Sequence, residues 1–289
     1  MSLHPAHRFS APSAIQHGVP LKELLERRLV VLIGESLADV APEFDRKRFL
    51  FRATKGLAEL ELKDRALHIA HAMAEQLPPD FDELAPLLIR SFGPPLESTQ
   101  DNGLAPLFYM PHAQLIATYG VSRFDSGMLA NYELTQRFTA EFSIRPFLIE
   151  HRAKSLKILH RWTTDSNPHV RRLVSEGTRP RLPWAMRLRE FQADPNLSLP
   201  LLEKLKNDSE LYIRRSVANH LGDIAKDHPN VVFDVCQKWL DEIEQLSDSN
   251  QSKHRRWIVR HALRHPAKKN VVRAIKIRKA AAEPKSRKS

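Results

Sequence analysis

Residues 175–184, "SEGTRPRLPW", combine side chains that are uncommon together in a connection between helices. The stretch holds a carboxylate, Glu176, two guanidinium groups, Arg179 and Arg181, and an indole, Trp184. A carboxylate attracts positive charge, guanidinium groups bind anions, and the face of an indole attracts cations. A plain connector would need only the glycine and a proline. This composition makes the stretch the first candidate for a functional site.

The elements that must position this stretch are predicted to be helices. Apolar residues recur at spacings of three and four over 21–38, 63–77, 82–92 and 128–142. Prolines separate these segments, and no segment alternates apolar and polar residues as a half-buried strand would. We therefore predict an all-α fold in three regions, which are a flexible N-terminal arm (1–20), a single domain (21–278) and a disordered basic tail (279–289).

The chain contains an internal repeat of 43 residues. "DSNPHVRRLV" begins at Asp165 and "DSELYIRRSV" begins at Asp208, and a degenerate third copy is predicted at 255–263. This period is typical of HEAT and armadillo repeats, which stack helix pairs into a solenoid with a concave face. The detail resembles HEAT repeats, in which aspartate and arginine side chains bond between stacked repeats. We expect this structural role for Asp165 and Asp208 and for the arginines Arg171 and Arg214.

Positive charge is concentrated in two parts of the chain. Of the net charge of +11, residues 253–289 carry +13 and residues 151–189 carry +8, so the remainder is negative. Such polarity favours a surface that attracts a polyanion, and nucleic acid is the leading candidate because phosphate neutralisation needs no sequence reading. The alternative is a solvated basic tail without a ligand. We expect the basic surface to line the concave face of the solenoid.

Several classes of protein are disfavoured by composition. No apolar run reaches the ~18 residues of a membrane span, and the N-terminus has no apolar signal region. The nine glycines disfavour a phosphate loop, and the single cysteine, Cys236, excludes an internal disulfide and fits a small core residue in a reducing compartment. Neither a zinc motif nor a Ser-His-Asp signature is present, so we expect no metal and no cofactor.

The helix predicted over 211–227 offers a second carboxylate. Its buried stripe is formed by Ile213, Val217, Leu221 and Ile224. Arg215, Asn219 and Asp223 form a second row roughly opposite this stripe. We therefore expect Asp223 on the surface of the solenoid, where it is available to a ligand or, as the alternative, simply solvated.

Four segments together resemble one known family. They are "TAEFSIRPFL" (139–148), "HVRRLVSEGTRPRLPW" (169–184), "RRSVANHLGDIAKDHP" (214–229) and "WIVRHALRH" (257–265). They are similar to the AlkC branch of the AlkD/AlkC superfamily, bacterial DNA alkylation-repair glycosylases built from HEAT-like repeats, and the resemblance runs from about residue 42 to about residue 265. It implies a monofunctional enzyme that hydrolyses the N-glycosidic bond of cationic N-methylated bases, chiefly 3-methyladenine, in double-stranded DNA and so initiates base excision repair. It also implies a monomer without membrane association that acts in the bacterial cytoplasm on nucleoid DNA.

The resemblance also assigns roles to residues of this chain. The functional carboxylates correspond to Glu141, Glu176 and Asp223, the aromatic residue of the lesion site to Trp184, and the nearby basic residue to Arg179. The remaining residues expected to contact DNA are Arg172, Arg181, Arg215 and Asn219. One departure is Gly222, which stands where the pattern "HLND" has asparagine and is expected to loosen the helix beside Asp223.

The implied chemistry explains the composition of 175–184. A methylated purine already carries a positive charge, so its departure needs no general acid. The cost lies in the positive charge that develops on the deoxyribose, which carboxylates stabilise and an indole face supports. Two alternatives remain at this point. Glu141 is either a functional carboxylate or a structural partner of Arg145, and the whole chain is either a glycosylase or a non-catalytic HEAT scaffold that binds DNA or protein.

Overall fold

The computed structural model describes residues 3–246 and 248–282 and has two compact units, which meet in sequence at Ser155 and Leu156. Within the described residues all regular secondary structure is helical and no strand occurs, so the predicted all-α fold is confirmed. The sequence predicted a single domain over 21–278, and the division between Ser155 and Leu156 falls within that range. In a helical-repeat protein each repeat contacts mainly its neighbours, so few contacts cross any one boundary along the chain.

Unit 1 is built on helices whose apolar faces are buried. Its α-helices are α1 (Pro5–Arg8), α2 (Arg27–Ala38), α3 (Arg46–Thr54), α4 (Leu62–Ala74), α5 (Phe81–Arg90), α6 (Met110–Tyr119), α7 (Phe124–Thr135) and α8 (Arg145–Glu150), with 3-10 turns at Leu21–Leu24, Leu57–Glu59 and Ala105–Tyr109. Leu29, Ile33 and Leu37 of α2 follow helical spacing and are fully buried. Helix α9 (Arg152–Trp162) continues into unit 2.

Unit 2 positions the stretch 175–184. Its further α-helices are α10 (Pro168–Gly177), α11 (Arg189–Ala193), α12 (Leu199–Leu205), α13 (Leu211–Ile224), α14 (Pro229–Asp241), α15 (Ser249–Ala262), α16 (Arg264–Lys268) and α17 (Val272–Ala280), with 3-10 turns at Pro195–Leu197 and Glu242–Gln245. Helix α13 packs against α10 on one side and α15 on the other. The predicted buried stripe of α13 is confirmed, since Ile213, Val217, Leu221 and Ile224 are at most 1% exposed.

The bond between repeats that the sequence predicted is formed by Arg171 and Asp208. Arg171 of the first copy donates from Nε to Oδ2 of Asp208 in the second copy at 2.7 Å, so the two repeats are joined. Arg171 also donates to the backbone carbonyl of Asp165, and Arg214 donates to that of Asp208, six residues earlier in each case. The equivalent aspartates each accept the backbone N–H two residues on, which fixes the turn before the helix. The two copies are therefore alike in local geometry as well as in sequence.

Several predicted segments differ from the structure at their ends. The helix predicted over 21–38 is a 3-10 turn at Leu21–Leu24 followed by α2, which begins at Arg27. Helix α7 ends at Thr135 rather than continuing to 142, and the hydroxyl of Thr139 accepts the backbone N–H of Glu141, a local bond that competes with helix. The N-terminal arm is not uniformly loose, because α1 packs against α2 and Phe9 is buried against Phe108. Helix α17 includes the first two residues of the predicted tail, whereas 283–289 lie outside the described residues.

Candidate active site

Two carboxylates from successive repeats meet on one guanidinium group. Glu176 lies in the last turn of α10, Arg179 follows that helix, and Asp223 lies in the last turn of α13. Arg179 donates from Nη1 to Oε1 of Glu176 at 2.6 Å and from Nε to Oδ2 of Asp223 at 2.8 Å. The three residues are only 6%, 8% and 3% exposed, so this is a buried charged cluster.

The local sequence explains how Glu176 and Arg179 reach this position. Helix α10 begins where Asn167 accepts the backbone N–H of His169 and Pro168 occupies the first turn. It ends where Thr178 donates its hydroxyl to the carbonyl of Val174 and Pro180 prevents continuation. Arg179 therefore leaves the helix axis directly after the last turn and crosses to α13.

Three further side chains complete the cluster, and they treat the two carboxylates differently. The hydroxyl of Ser216 donates to Oε2 of Glu176 at 2.5 Å, and Nη2 of Arg172 lies 3.5 Å from its Oε1. Oδ1 of Asp223 accepts from Nζ of Lys226 at 2.8 Å, and the Lys226 side chain is 55% exposed. Glu176 is thus held on both oxygens by largely buried groups, whereas one oxygen of Asp223 is bound by a solvent-facing lysine.

The electrostatics of the cluster keep Glu176 ionised. Burial acts to raise the pKa of Glu176, but the charges of Arg172 and Arg179 and the hydrogen bond from Ser216 outweigh it, so the pKa is lowered. Burial likewise acts to lower the pKa of Arg179, and the charges of Glu176 and Asp223 reverse this and raise it. The cluster therefore contains ionised carboxylate and guanidinium groups that are bonded to one another and largely shielded from water.

The expectation that Asp223 lies on an exposed surface is wrong. Its spacing places it away from the centre of the apolar stripe of α13, but Arg179 and the packed repeats cover it. Periodicity identifies the apolar face of one helix and cannot foresee what a neighbouring repeat places over the polar face. Gly222 leaves α13 unbroken through Ile224, and a Cβ at this position would meet Ala262 O at an ordinary 3.5 Å.

The loop after Arg179 carries the predicted aromatic residue. Trp184 is 66% exposed and has a φ of 64°, a left-handed conformation that is uncommon outside glycine. The loop is anchored on both sides of it, by the Leu188 N–H donating to the carbonyl of Pro180 and by Arg181, which donates twice to Asp227 at 2.7 and 2.6 Å. The indole is therefore presented to solvent on a short anchored loop.

The other predicted contact residues occupy different environments. The guanidinium of Arg172 lies over the ring of Tyr212 at 5.2 Å, Arg215 is exposed, and Asn219 accepts from Arg264 at 2.9 Å. Glu141 belongs to unit 1, where it is half-buried and its Oε2 accepts from the hydroxyl of Thr139 at 2.9 Å. The structure thus brings Glu176, Arg179 and Asp223 together in unit 2, and describes Glu141 within unit 1.

Sequence reasoning missed Ser216, Lys226 and Asp227. Lys226 could have been found, since a lysine three residues after an aspartate on a helix lies on the same face. Asp227 follows Asp223 by four residues, which places the two carboxylates on the same face of the helix predicted over 211–227. Ser216 had no comparable signal, because its contact with Glu176 depends on the packing of α13 against α10.

The described parts of the chain contain no group of three or more His, Cys, Asp or Glu side chains that could hold a metal ion. Nor does any described helix have the length and apolar character needed to cross a membrane.

Comparison with known proteins places this site in a family. Residues 134–265 match the model of the DNA alkylation repair enzymes, a range that contains the whole charged cluster and Trp184. The chain is 34% identical over 256 residues to the uncharacterized protein YhaZ of Bacillus subtilis (strain 168), covering 88% of this chain and 67% of that protein. Among solved structures, it is similar to Pseudomonas fluorescens alkylpurine DNA glycosylase AlkC bound to DNA containing an abasic site analog. The identity is 38%, the TM-score is 0.77, and the match covers 90% of this chain and 68% of that chain.

The fold and the charged cluster therefore define a helical-repeat protein with paired carboxylates at the junction of two repeats. The chain belongs to the DNA alkylation repair enzyme family, in its AlkC-like branch.

Proposed function

We propose that this protein is a monofunctional DNA glycosylase that hydrolyses the N-glycosidic bond of cationic N-methylated bases, chiefly 3-methyladenine, in double-stranded DNA. The observation that carries the proposal is the pairing of Glu176 and Asp223 through Arg179 in a buried cluster of unit 2. Family membership and the activity named for AlkC support the same reaction class.

In the proposed reaction the bond between C1′ and the base nitrogen breaks, and the bonding electron pair leaves with the base. The cationic base thereby becomes neutral, and positive charge develops at C1′ and the ring oxygen of the sugar. Water then adds to C1′ and releases a proton to solvent, which leaves an abasic site. No proton has to be donated to the leaving base, so the demand on the protein is to stabilise positive charge in the transition state.

Asp223 is the carboxylate best suited to this demand. Its Oδ2 is fixed by Arg179, whereas its Oδ1 is bound by Lys226, whose side chain is largely exposed. A DNA phosphate would attract Lys226 and leave Oδ1 facing the substrate, because both anions compete for the same ammonium group. The carboxylate would then be ionised, oriented and partly uncovered at the moment when the sugar becomes positive.

Glu176 is better suited to positioning than to direct contact. Both of its oxygens are already bound, one by Arg179 and Arg172 and the other by Ser216. It holds the guanidinium of Arg179, which in turn orients Asp223. Trp184 supplies an exposed aromatic face for the altered nucleotide, with an attraction for a cation of roughly 0.5–2 kcal/mol. Arg172, Arg181, Arg215 and Asn219 are proposed to contact DNA, and Glu141 of unit 1 is proposed as a further functional carboxylate.

The test is product analysis on methylated DNA. The purified protein is incubated with duplex DNA treated with dimethyl sulfate or methylnitrosourea, and the released bases are identified by mass. We expect 3-methyladenine as the main product, without cleavage of the strand by the protein itself. Tight DNA binding with no released base would instead identify a non-catalytic scaffold.

A further inference from the structure

A second polar cluster lies on the other side of Asn219, where α15 and α16 meet α13. Arg264 donates from Nη2 to Oδ1 of Asn219 at 2.9 Å and from Nη1 to the backbone carbonyl of His261 at 2.7 Å. The imidazole of His261 is stacked on the indole of Trp257, with ring centroids 4.8 Å apart and planes inclined by 10°. Arg215 lies one helical turn before Asn219 on α13, the residue to which Arg264 donates.

Positive charge exceeds negative charge at this cluster, because the charges of both Arg179 and Asp223 act on Arg264 and Arg215 lies nearby on α13. Arg264 is half-buried, yet it forms no ion pair with any carboxylate in the described ranges. Arg171 and Arg255 of unit 2 have carboxylate partners, Asp208 and Glu242. Arg214, by contrast, donates to backbone carbonyls, as Arg264 does. Arg215 forms neither a hydrogen bond nor an ion pair within the same ranges. Two guanidinium groups thus lie near one turn of α13 without a carboxylate bonded to either in these ranges.

Burial and the two nearby guanidinium charges of Arg264 and Arg215 lower the pKa of His261 to about 4. At neutral pH the ring is therefore uncharged, so it adds no repulsion between the arginines and presents at most one N–H donor. The resulting set of donors, two guanidinium groups and a neutral imidazole, suits an anion that carries several oxygens and one negative charge.

We propose that Arg215, His261 and Arg264 together bind a single backbone phosphodiester of the DNA strand that contains the lesion, with Arg264 oriented by Asn219. That the anion belongs to DNA rests on the proposed function. Arg215, Asn219 and Asp223 follow one another at intervals of four residues on α13. Asn219 is therefore about one helical turn, roughly 5.4 Å, from the catalytic carboxylate, and Arg215 is about two turns from it. The phosphate would lie within this range of distances. A nucleotide whose sugar faces Asp223 can place a neighbouring phosphate at this distance.

The experiment measures binding rather than excision. Affinity for a duplex containing an abasic-site analogue is determined over a series of salt concentrations for the parent protein, Arg215→Gln, Arg264→Gln and the double variant. Lys204→Gln, which removes one exposed positive charge from α12, is the matched control. We expect each arginine variant to weaken binding roughly tenfold to a hundredfold, as for a charge-assisted hydrogen bond.

The salt dependence identifies a shared phosphate. One lost phosphate contact lowers the slope of log K against log salt by about 0.9, and the double variant should lower it by no more than this. Parent affinity in Arg215→Gln, or a double variant whose slope falls by about twice this amount, would overturn the proposal. Arg215 makes no bond within the described chain, so this variant is informative even if Arg264→Gln proves less stable.

A chemical scan then locates the phosphate. Single methylphosphonate linkages, which are uncharged, replace successive phosphates around the abasic analogue. At one position next to the lesion the loss of affinity should not add to that of Arg264→Gln, whereas additivity at every position would refute the assignment. No base is released in this binding assay, so its outcome is independent of excision. If the phosphate assignment holds but product analysis finds no released methylated base, the proposed function is refuted and the phosphate site is not.

Discussion

Replacement of Asp223 by asparagine gives the most direct test of the charged cluster. The change keeps the size of the side chain and removes the negative charge that faces Lys226 and Arg179. At an effective dielectric constant of ~20, opposite unit charges ~4 Å apart attract by roughly 4 kcal/mol. If half of this attraction exists only in the transition state, Asp223→Asn should slow excision of 3-methyladenine about 30-fold.

Stability and DNA affinity must be measured alongside the rate. Asp223 is buried, so Asp223→Asn should cost about 1.5–3 kcal/mol of unfolding free energy through the weakened bond to Arg179, which retains Glu176. DNA binding should be equal or tighter, since removal of a negative charge cannot weaken the attraction of phosphates. A loss of rate without a loss of binding is the signature of a transition-state interaction.

The assay is single-turnover release of 3-methyladenine, expressed per folded molecule as determined by unfolding of the same sample. Asp234→Asn is the matched control, because it makes the same substitution at an exposed aspartate of unit 2 and breaks the ion pair with Arg273 instead. We expect the control to excise within about twofold of the parent rate. If Asp223→Asn also excises at the parent rate, the mechanism proposed for this carboxylate is wrong.

Three further predictions concern stability and selectivity. The pKa of Glu176 is lowered, so its ionised form stabilises the fold at neutral pH, and this stability is lost as the pH falls below about 4.5, the ordinary pKa of a glutamate. Glu176→Gln should therefore lose less unfolding free energy on acidification than the parent does. Urea titration at several pH values measures this difference. Trp184→Ala should alter both the rate and the lesion preference in mass-analysed product release, and Trp184→Gly should be the more stable of the two by about 1 kcal/mol, because glycine tolerates the positive φ. Asp208→Ala should lower the unfolding free energy by about 3 kcal/mol through its bond to Arg171, whereas Asp234→Ala, which breaks an exposed ion pair, should cost less than about 1 kcal/mol in the same calorimetric comparison.

Local pattern in the sequence determined the helices and the repeat. The spacing of Ile213, Val217 and Leu221 predicted the buried stripe of α13, because a helix brings residues three and four apart onto one face wherever it lies. The resemblance of the 43-residue repeat to HEAT repeats predicted a bond between repeats, which Arg171 of the first copy forms with Asp208 of the second. Composition alone also indicated that 175–184 is more than a connector.

Only the tertiary structure decided what the charges of that stretch contact. Nothing in the spacing of Glu176 and Asp223 shows that one guanidinium joins them, since their meeting depends on how α10 packs on α13. The same packing buries Asp223 and gives Arg264 an amide and a backbone carbonyl as its bonded partners among the described residues. A sequence records which face of a helix is apolar, but the burial and pairing of its polar side chains are set by the neighbouring repeat, and the ionisation and reactivity of such groups follow from that environment.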